Sequence, residues 1–473
     1  MVFSSLIFLF LFLPCLNLTY LACLKHIKWQ NFVLMLFSLS FYYWGEKDHM
    51  FIMLACIFIN YLCGLFIENS KNPKQRKIYL MTSVTASLAM LIYFKYFNFF
   101  LDSLNSVFDL NIMGISKIVL PLGISFYTFH ALSYVIDVYW KKVPAEHNFV
   151  TFVCYVSFFP QLVAGPIVRY ADIRHSFYHR YITRAGLRNG ILRFCFGLAK
   201  KVLIANEVAK LADYVFYLPT NELTFVVAWL GAIAYALQIY FDFSGYSDMA
   251  IGLGLMFGFK YKENFNFPYN ALSIQEFWRK WHISLSSWFR DYLYIPLGGS
   301  YKSKFQTQIN LIIVFGLCGL WHGANYTFII WGLFHGFFLI LERTSFGYFL
   351  KQLPKVIRHG YVLLVVIIGW VFFREENLQS AFEFIKTMFA PTEFNLDIIA
   401  GCLNIILVFA LVVGIILSLG LNNRIKDSLT LKRNKNWIMT YKQSSNALGI
   451  LVLLISILLL STNSYNPFLY FRF

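Results

Sequence analysis

The chain has 473 residues, of which 59% are hydrophobic and only 13% charged, and its formal net charge is +17. A soluble globular chain carries about 25% charged residues, so this composition excludes a water-soluble protein. No nucleic-acid recognition motif accompanies the positive charge, which instead reads as basic loops facing the cytosol and its anionic lipids.

Apolar segments near the ~20 residues needed to cross a bilayer begin at the N-terminus and lie at about 3–24, 30–45, 49–67 and 78–101. The first lacks a basic leader and is too long for a secretory signal, so it reads as a spanning helix. The connectors holding Lys25, His26 and Lys28, and Lys71, Lys74, Arg76 and Lys77, are basic. Placing both in the cytosol puts the N-terminus outside. Near the far end, Arg374 and Lys386 face Glu375, Glu376, Glu383, Glu393 and Asp397, whereas 422–442 holds Arg424, Lys426, Lys432, Arg433, Lys435 and Lys442 against Asp427. The same rule puts the C-terminus outside and predicts an odd number of crossings.

The middle of the chain is different. Apolar pieces around 119–137 and 149–166 are interrupted by Pro121, Gly123, Pro160, Gly165 and Pro166. Broken helices at membrane depth need protein or a water-filled cavity to cover their backbone, so re-entrant or discontinuous helices are predicted here. Between Arg169 and Lys201, basic residues alternate with Leu187, Ile191, Phe194 and Leu198, which predicts an amphipathic helix on the cytosolic leaflet.

Polar residues in apolar surroundings are the candidate functional positions. In 240–270, Asp242 follows a long apolar run and Asp248 precedes another; they are helix caps near the surface or polar groups inside a cavity. In 273–299, Phe277, Trp281, Leu285, Trp288 and Tyr292 share one helical face, as expected of an interfacial helix, with Arg279 and Lys280 elsewhere and His282 off the stripe. In 309–341, an apolar run holds Trp321, His322, Asn325 and His335. His322 is either a buried histidine bonded to a neighbouring helix or a reactive one, and His335 reads as structural. The pairs His175/His179 and Cys318/His322 have ligand-like spacing, but each lacks the further ligands zinc needs, so no metal site is predicted. The eight cysteines lie in or beside apolar runs and read as small buried hydrophobes.

Several long stretches, in order, carry a resemblance: LPLGISFYTFHALSYVIDVY, FFPQLVAGPIVRY, YFDFSGYSDMAIGLGLMFGF, ENFNFPYNALSIQEFWRKWHISLSSWFRDYLYIPLGG, GLWHGANYTFIIWGLFHG and GWVFFREENLQSAF. They are similar to the membrane-bound O-acyltransferase family, and within it the alginate O-acetylation branch. The resemblance implies an all-α polytopic membrane protein, one multi-spanning domain over 1–473 whose discontinuous and interfacial helices surround a central cavity. Its motif-bearing core lies at about 119–341 and its C-terminal helices at about 360–462. It also implies that His322 is catalytic and His282 a second functional position; Asp242, Asn325, Trp321 and Arg279 are candidates, from their own polarity and placement, to line the cavity or bind substrate. Acetyl groups would pass from a cytosolic donor, acetyl-CoA, across the inner membrane, with no bound cofactor. A periplasmic O-acetyltransferase partner would place them on an extracytoplasmic polysaccharide. Peptidoglycan acetylation, D-alanyl transfer to teichoic acid and non-catalytic acyl transport are the competing readings.

Overall fold

The computed structural model describes residues 2–108, 117–219, 221–391, 397–401, 403–421, 435–462, 465–467 and 469. Every long regular element among them is a helix. His49–Asn69, Pro73–Phe108, Phe225–Met256, Lys355–Arg374 and Gln443–Thr462 are long and apolar enough to cross a bilayer. The pair Tyr326–Leu341 and Ser345–Gln352, bent by 76°, would make a sixth crossing if it acts as one span. The chain is a multi-pass membrane protein. Most of the basic loop that oriented the C-terminus, 422–434, lies outside the described residues, as do Glu393 and Cys402.

The chain divides into two units, 1–191 with 250–262, and 192–249 with 263–473. In the first, the predicted apolar segments form Leu13–Ala22, entered through a π-helical turn at Phe8–Phe12, then Ile27–Glu46, His49–Asn69 and Pro73–Phe108. Between the last two, Asn60 Nδ2 donates to Ser87 Oγ at 2.9 Å and Ser83 Oγ donates to Asn60 Oδ1 at 2.6 Å. Such interhelical bonds hold apolar helices together where lipid offers no hydrophobic gradient.

The 149–166 piece is broken as predicted, into Phe149–Ser157 and the single turn Phe159–Leu162. Several polar groups at the break find protein partners. Phe159 N donates to Ser38 Oγ at 3.1 Å, Gln161 Nε2 to the Tyr155 carbonyl at 2.6 Å, and Val168 N to His130 Nε2 at 3.3 Å.

The basic stretch differs from the single amphipathic helix predicted over 169–201. It forms Tyr170–Tyr178, then a break, then Arg184–Ala199 running into a π-helical turn, Lys200–Ala205. At the break Arg180 is buried rather than facing lipid headgroups, and its guanidinium donates to Tyr20 Oη at 2.8 Å, Asn31 Oδ1 at 3.0 Å and Gln30 Oε1 at 3.1 Å. A ready set of acceptors draws the cation inward and ends the helix.

In the second unit, Asp242 and Asp248 are not caps: both sit within the uninterrupted helix Phe225–Met256. Each takes cations from the basic stretch. Arg193 Nη2 lies 2.8 Å from Asp248 Oδ1, Lys200 Nζ 2.6 Å from Asp248 Oδ2, and Lys201 Nζ 2.6 Å from Asp242 Oδ1. Carboxylates on an apolar helix need such partners, which is why these basic residues turn inward. The predicted interfacial stripe Phe277, Trp281, Leu285, Trp288 and Tyr292 is buried throughout, but its helix is divided into Ile274–Lys280, Ile283–Phe289 and a π-helical turn, Arg290–Tyr294.

The 309–341 run is a hairpin of Lys304–His322 and Tyr326–Leu341. The two helices touch through glycine. A Cβ on Gly332 would lie 2.2 Å from the Phe315 carbonyl oxygen, and one on Gly319 would lie 2.2 Å from that of Phe328. Backbone cannot yield as a side-chain tip can, so Gly332→Ala should force the helices apart at a cost of about 1–3 kcal/mol. The check is thermal unfolding of the purified protein in detergent: the variant should melt lower, and an unchanged midpoint would show that the hairpin relaxes freely.

Candidate active site

Two helix ends in the second unit carry the histidines. Between Ile274–Lys280 and Ile283–Phe289 the chain turns at His282, whose φ of 41° and ψ of 56° are left-handed values unusual for a side chain with a Cβ. The neighbouring segment holds this turn open: Asn266 N donates to the Lys280 carbonyl at 3.0 Å and Ile283 N to the Asn264 carbonyl at 2.9 Å. A non-glycine residue kept in such a conformation by its surroundings is a common mark of a functional site. His282 is wholly buried, and its Nδ1 lies 3.2 Å from Asn264 Oδ1.

His322 is the last residue of Lys304–His322. The helix stops there because Gly323 turns to an extended backbone, in a space where a Cβ would meet the Phe328 ring at 2.2 Å. The His322 imidazole is 4% exposed and packs edge-to-face on Trp331 at 4.9 Å and Phe373 at 5.2 Å between ring centroids. Trp321 lies 5.0 Å on another side, and the His282 ring is 6.5 Å away. Aromatic walls on this scale exclude water and hold the ring in one orientation.

His322 opens on a small cavity of about 10 Å³, near the size that holds one water molecule, lined by Asp242, Phe243, Trp281, Trp331, Trp370 and Phe373 among others. Asp242 and Lys201 form a buried ion pair at its wall, 3% and 4% exposed. The last described residues reach the same cavity. Leu469 lines it, with its backbone N–H donating to Asp242 Oδ2 at 2.9 Å, and Lys201 Nζ donates to the Pro467 carbonyl. Further back, Tyr465 Oη donates to Asp213 Oδ2 at 2.5 Å, and Arg374 binds the other oxygen of that carboxylate at 2.9 Å.

The structure thus gathers His322 and Asp242 at one cavity, with Trp321 and His282 packed directly behind. Asn325 and Arg279 lie elsewhere. Asn325 caps Tyr326–Leu341, accepting from Thr327 N at 3.1 Å, and its Nδ2 donates to the Glu376 carbonyl at 2.6 Å. Arg279 lines a separate, half-open cleft of 380 Å³ with Arg290, Arg343, Trp278, Phe315 and Cys318. His335 is buried in aromatic packing, parallel to Phe277 at 6.2 Å, and neither ring nitrogen has a hydrogen-bond partner among the described residues. Lys201, Asn264 and the chain end were not singled out by sequence. Lys201 was hidden in a run of basic residues, and Asn264 carried one faint signal, an amide between aromatic residues in ENFNFPYN.

Comparison with known proteins adds to this geometry. The model of the membrane-bound O-acyltransferase family matches residues 39–382. The probable alginate O-acetylase of Azotobacter vinelandii is 43% identical over the full length of both chains. That of Pseudomonas aeruginosa is 47% identical, over 82% of this chain and 75% of its own. The peptidoglycan O-acetyltransferase of Helicobacter pylori is 36% identical, over 82% of this chain and 80% of its own.

Removing one partner of a buried ion pair leaves an uncompensated charge, at a cost of about 3–5 kcal/mol. Lys201→Met should therefore lower the thermal midpoint strongly, and adding Asp242→Asn should restore much of the loss while keeping an acceptor for the Leu469 amide. A double variant no more stable than Lys201→Met would show that the lone carboxylate is not the source of the damage.

Proposed function

This chain belongs to the membrane-bound O-acyltransferase family, and from that premise we propose that it passes acetyl groups from acetyl-CoA in the cytosol to an extracytoplasmic polysaccharide of the alginate type. It is an acyltransferase and a multi-pass membrane protein. The observation that carries the finer reading is the burial of His322 in an aromatic-walled cavity beside the Asp242–Lys201 pair.

Here the hydroxyl oxygen of a first acceptor, from which the acetyl group later goes to the polymer, attacks the thioester carbonyl carbon while the His322 imidazole takes the hydroxyl proton. The new C–O bond forms, the C–S bond breaks, and the proton passes from the imidazolium to the departing thiolate. The apolar walls favour the neutral imidazole that a base requires. The 380 Å³ cleft supports a phosphorylated donor. Arg279, Arg290 and Arg343 stand at it to meet phosphates, and Cys318, one helical turn before His322, lies among its walls.

In this reading the protein resides in the inner membrane with both termini outside, and a periplasmic O-acetyltransferase partner places the acetyl group on the polymer. Likeness to the alginate relatives, at 43% and 47% identity, favours an alginate-type acceptor over peptidoglycan, where the relative is 36% identical.

The test is the acetyl content of each extracytoplasmic polysaccharide in cells carrying wild type or His322→Ala at matched membrane levels. General base catalysis contributes about 10²–10⁴-fold, so one polymer should lose its acetyl groups almost entirely, and that polymer is the acceptor. Unchanged acetylation of all polymers would sink the proposal, and acetylation surviving loss of both His282 and His322 would favour acyl transport without chemistry.

A further inference from the structure

Asn264 is fixed by more hydrogen bonds than a simple turn residue needs. Its Oδ1 faces Ser284 N at 3.1 Å, Ser284 Oγ at 2.9 Å and His282 Nδ1 at 3.2 Å, while its Nδ2 donates to Ser247 Oγ at 3.0 Å. The amide orientation follows from chemistry, because a backbone N–H is always a donor. The atom facing Ser284 N must therefore be the carbonyl oxygen, since the flipped amide would set N–H against N–H.

That oxygen is also what His282 Nδ1 meets. A carbonyl oxygen only accepts, so Nδ1 makes this bond only when it carries the hydrogen. Among the described residues the competitor for Nδ1 is the Ser284 hydroxyl, which lies 3.4 Å from Nδ1 but 2.9 Å from Asn264 Oδ1. The shorter contact takes its proton, leaving Nδ1 to donate to the same oxygen. In a neutral imidazole the other nitrogen is then a bare lone pair. His282 Nε2 has no hydrogen-bond partner among the described residues, although the side chain is wholly buried. The ring sits edge-to-face on Phe243 at 4.6 Å, with His322 at 6.5 Å as a further neighbour.

We propose that Asn264 is a positioning residue that locks His282 in the Nδ1–H tautomer, so that an unprotonated Nε2 is kept on a ring 6.5 Å from that of His322, behind the acyl-transfer site. An unpaired polar nitrogen in so apolar a setting is costly. It is kept because acceptor, left-handed turn and aromatic packing all hold the same ring. The link to transfer rests on the function proposed above; the tautomer itself does not.

The test is nitrogen NMR of the full chain in detergent with its histidines labelled with ¹⁵N, the His282 signals being assigned by their loss in His282→Gln. Wild type should show a protonated Nδ1 and a bare Nε2 at His282. Asn264→Leu, similar in size but without an acceptor, should lose that pattern and slow acetyl transfer about a hundredfold or more. Asn264→Asp, which retains an acceptor oxygen, should keep Nδ1 protonated and retain more transfer than Asn264→Leu. Protonated Nε2 in the wild-type protein overturns the proposal even if Asn264→Leu fails to fold. An unchanged His282 pattern in Asn264→Leu also overturns it. The right tautomer in wild type with no acetyl transfer by any form would instead count against the function and leave the positioning intact.

Discussion

Backbone amides and carbonyls inside a bilayer have no water to bond, so every interruption of a helix must be repaired by protein. The candidate site depends on that constraint. Its two histidines sit where helices end: His282 in a left-handed turn between two short helices, and His322 at the end of Lys304–His322. Asn264 and Asn266 supply the bonds that the turn at His282 needs, and close glycine packing holds the hairpin that ends at His322. A continuous helix would not bring His322 to the cavity with His282 packed behind it, and an unrepaired break would not survive in lipid.

The same economy of polar groups governs charge. Asp242 and Asp248 would be intolerable alone on the helix Phe225–Met256, and each is matched by cations from one basic stretch. The Asp242 pairing has a further consequence. With one oxygen on Lys201 and the other on the Leu469 amide, Asp242 ties the segment around Leu469 to the wall of the cavity holding His322. A carboxylate that solves an electrostatic problem thereby also shapes the site.

Much of this was legible in the sequence, and the exceptions share a cause. The apolar segments and the broken pieces around Pro160 and Pro166 follow from periodicity, proline and hydropathy, which are local properties, whereas the stripe from Phe277 to Tyr292, expected at the interface on one helix, is buried on a divided one. His322 and Asp242 stood out because a polar residue in an apolar run is conspicuous. Arg180, Lys200 and Lys201 were misread as facing headgroups because a basic side chain looks the same whether its partner is a lipid phosphate or a polar side chain far along the chain. Asn264 was missed because its importance lies in which atoms it meets.

The sequence by itself determined that this protein lives in a membrane, that it is helical, and which polar residues must be accounted for at membrane depth. It could do so because the bilayer imposes the same demand on every segment separately. Tertiary structure alone decided that His282 and His322 lie 6.5 Å apart, that Lys201 neutralises Asp242, and that the last described residue, Leu469, lines the cavity. These outcomes depend on pairing groups far apart in the chain, and the cost of burying a lone charge or an unbonded amide selects the pairing only when the whole chain has packed.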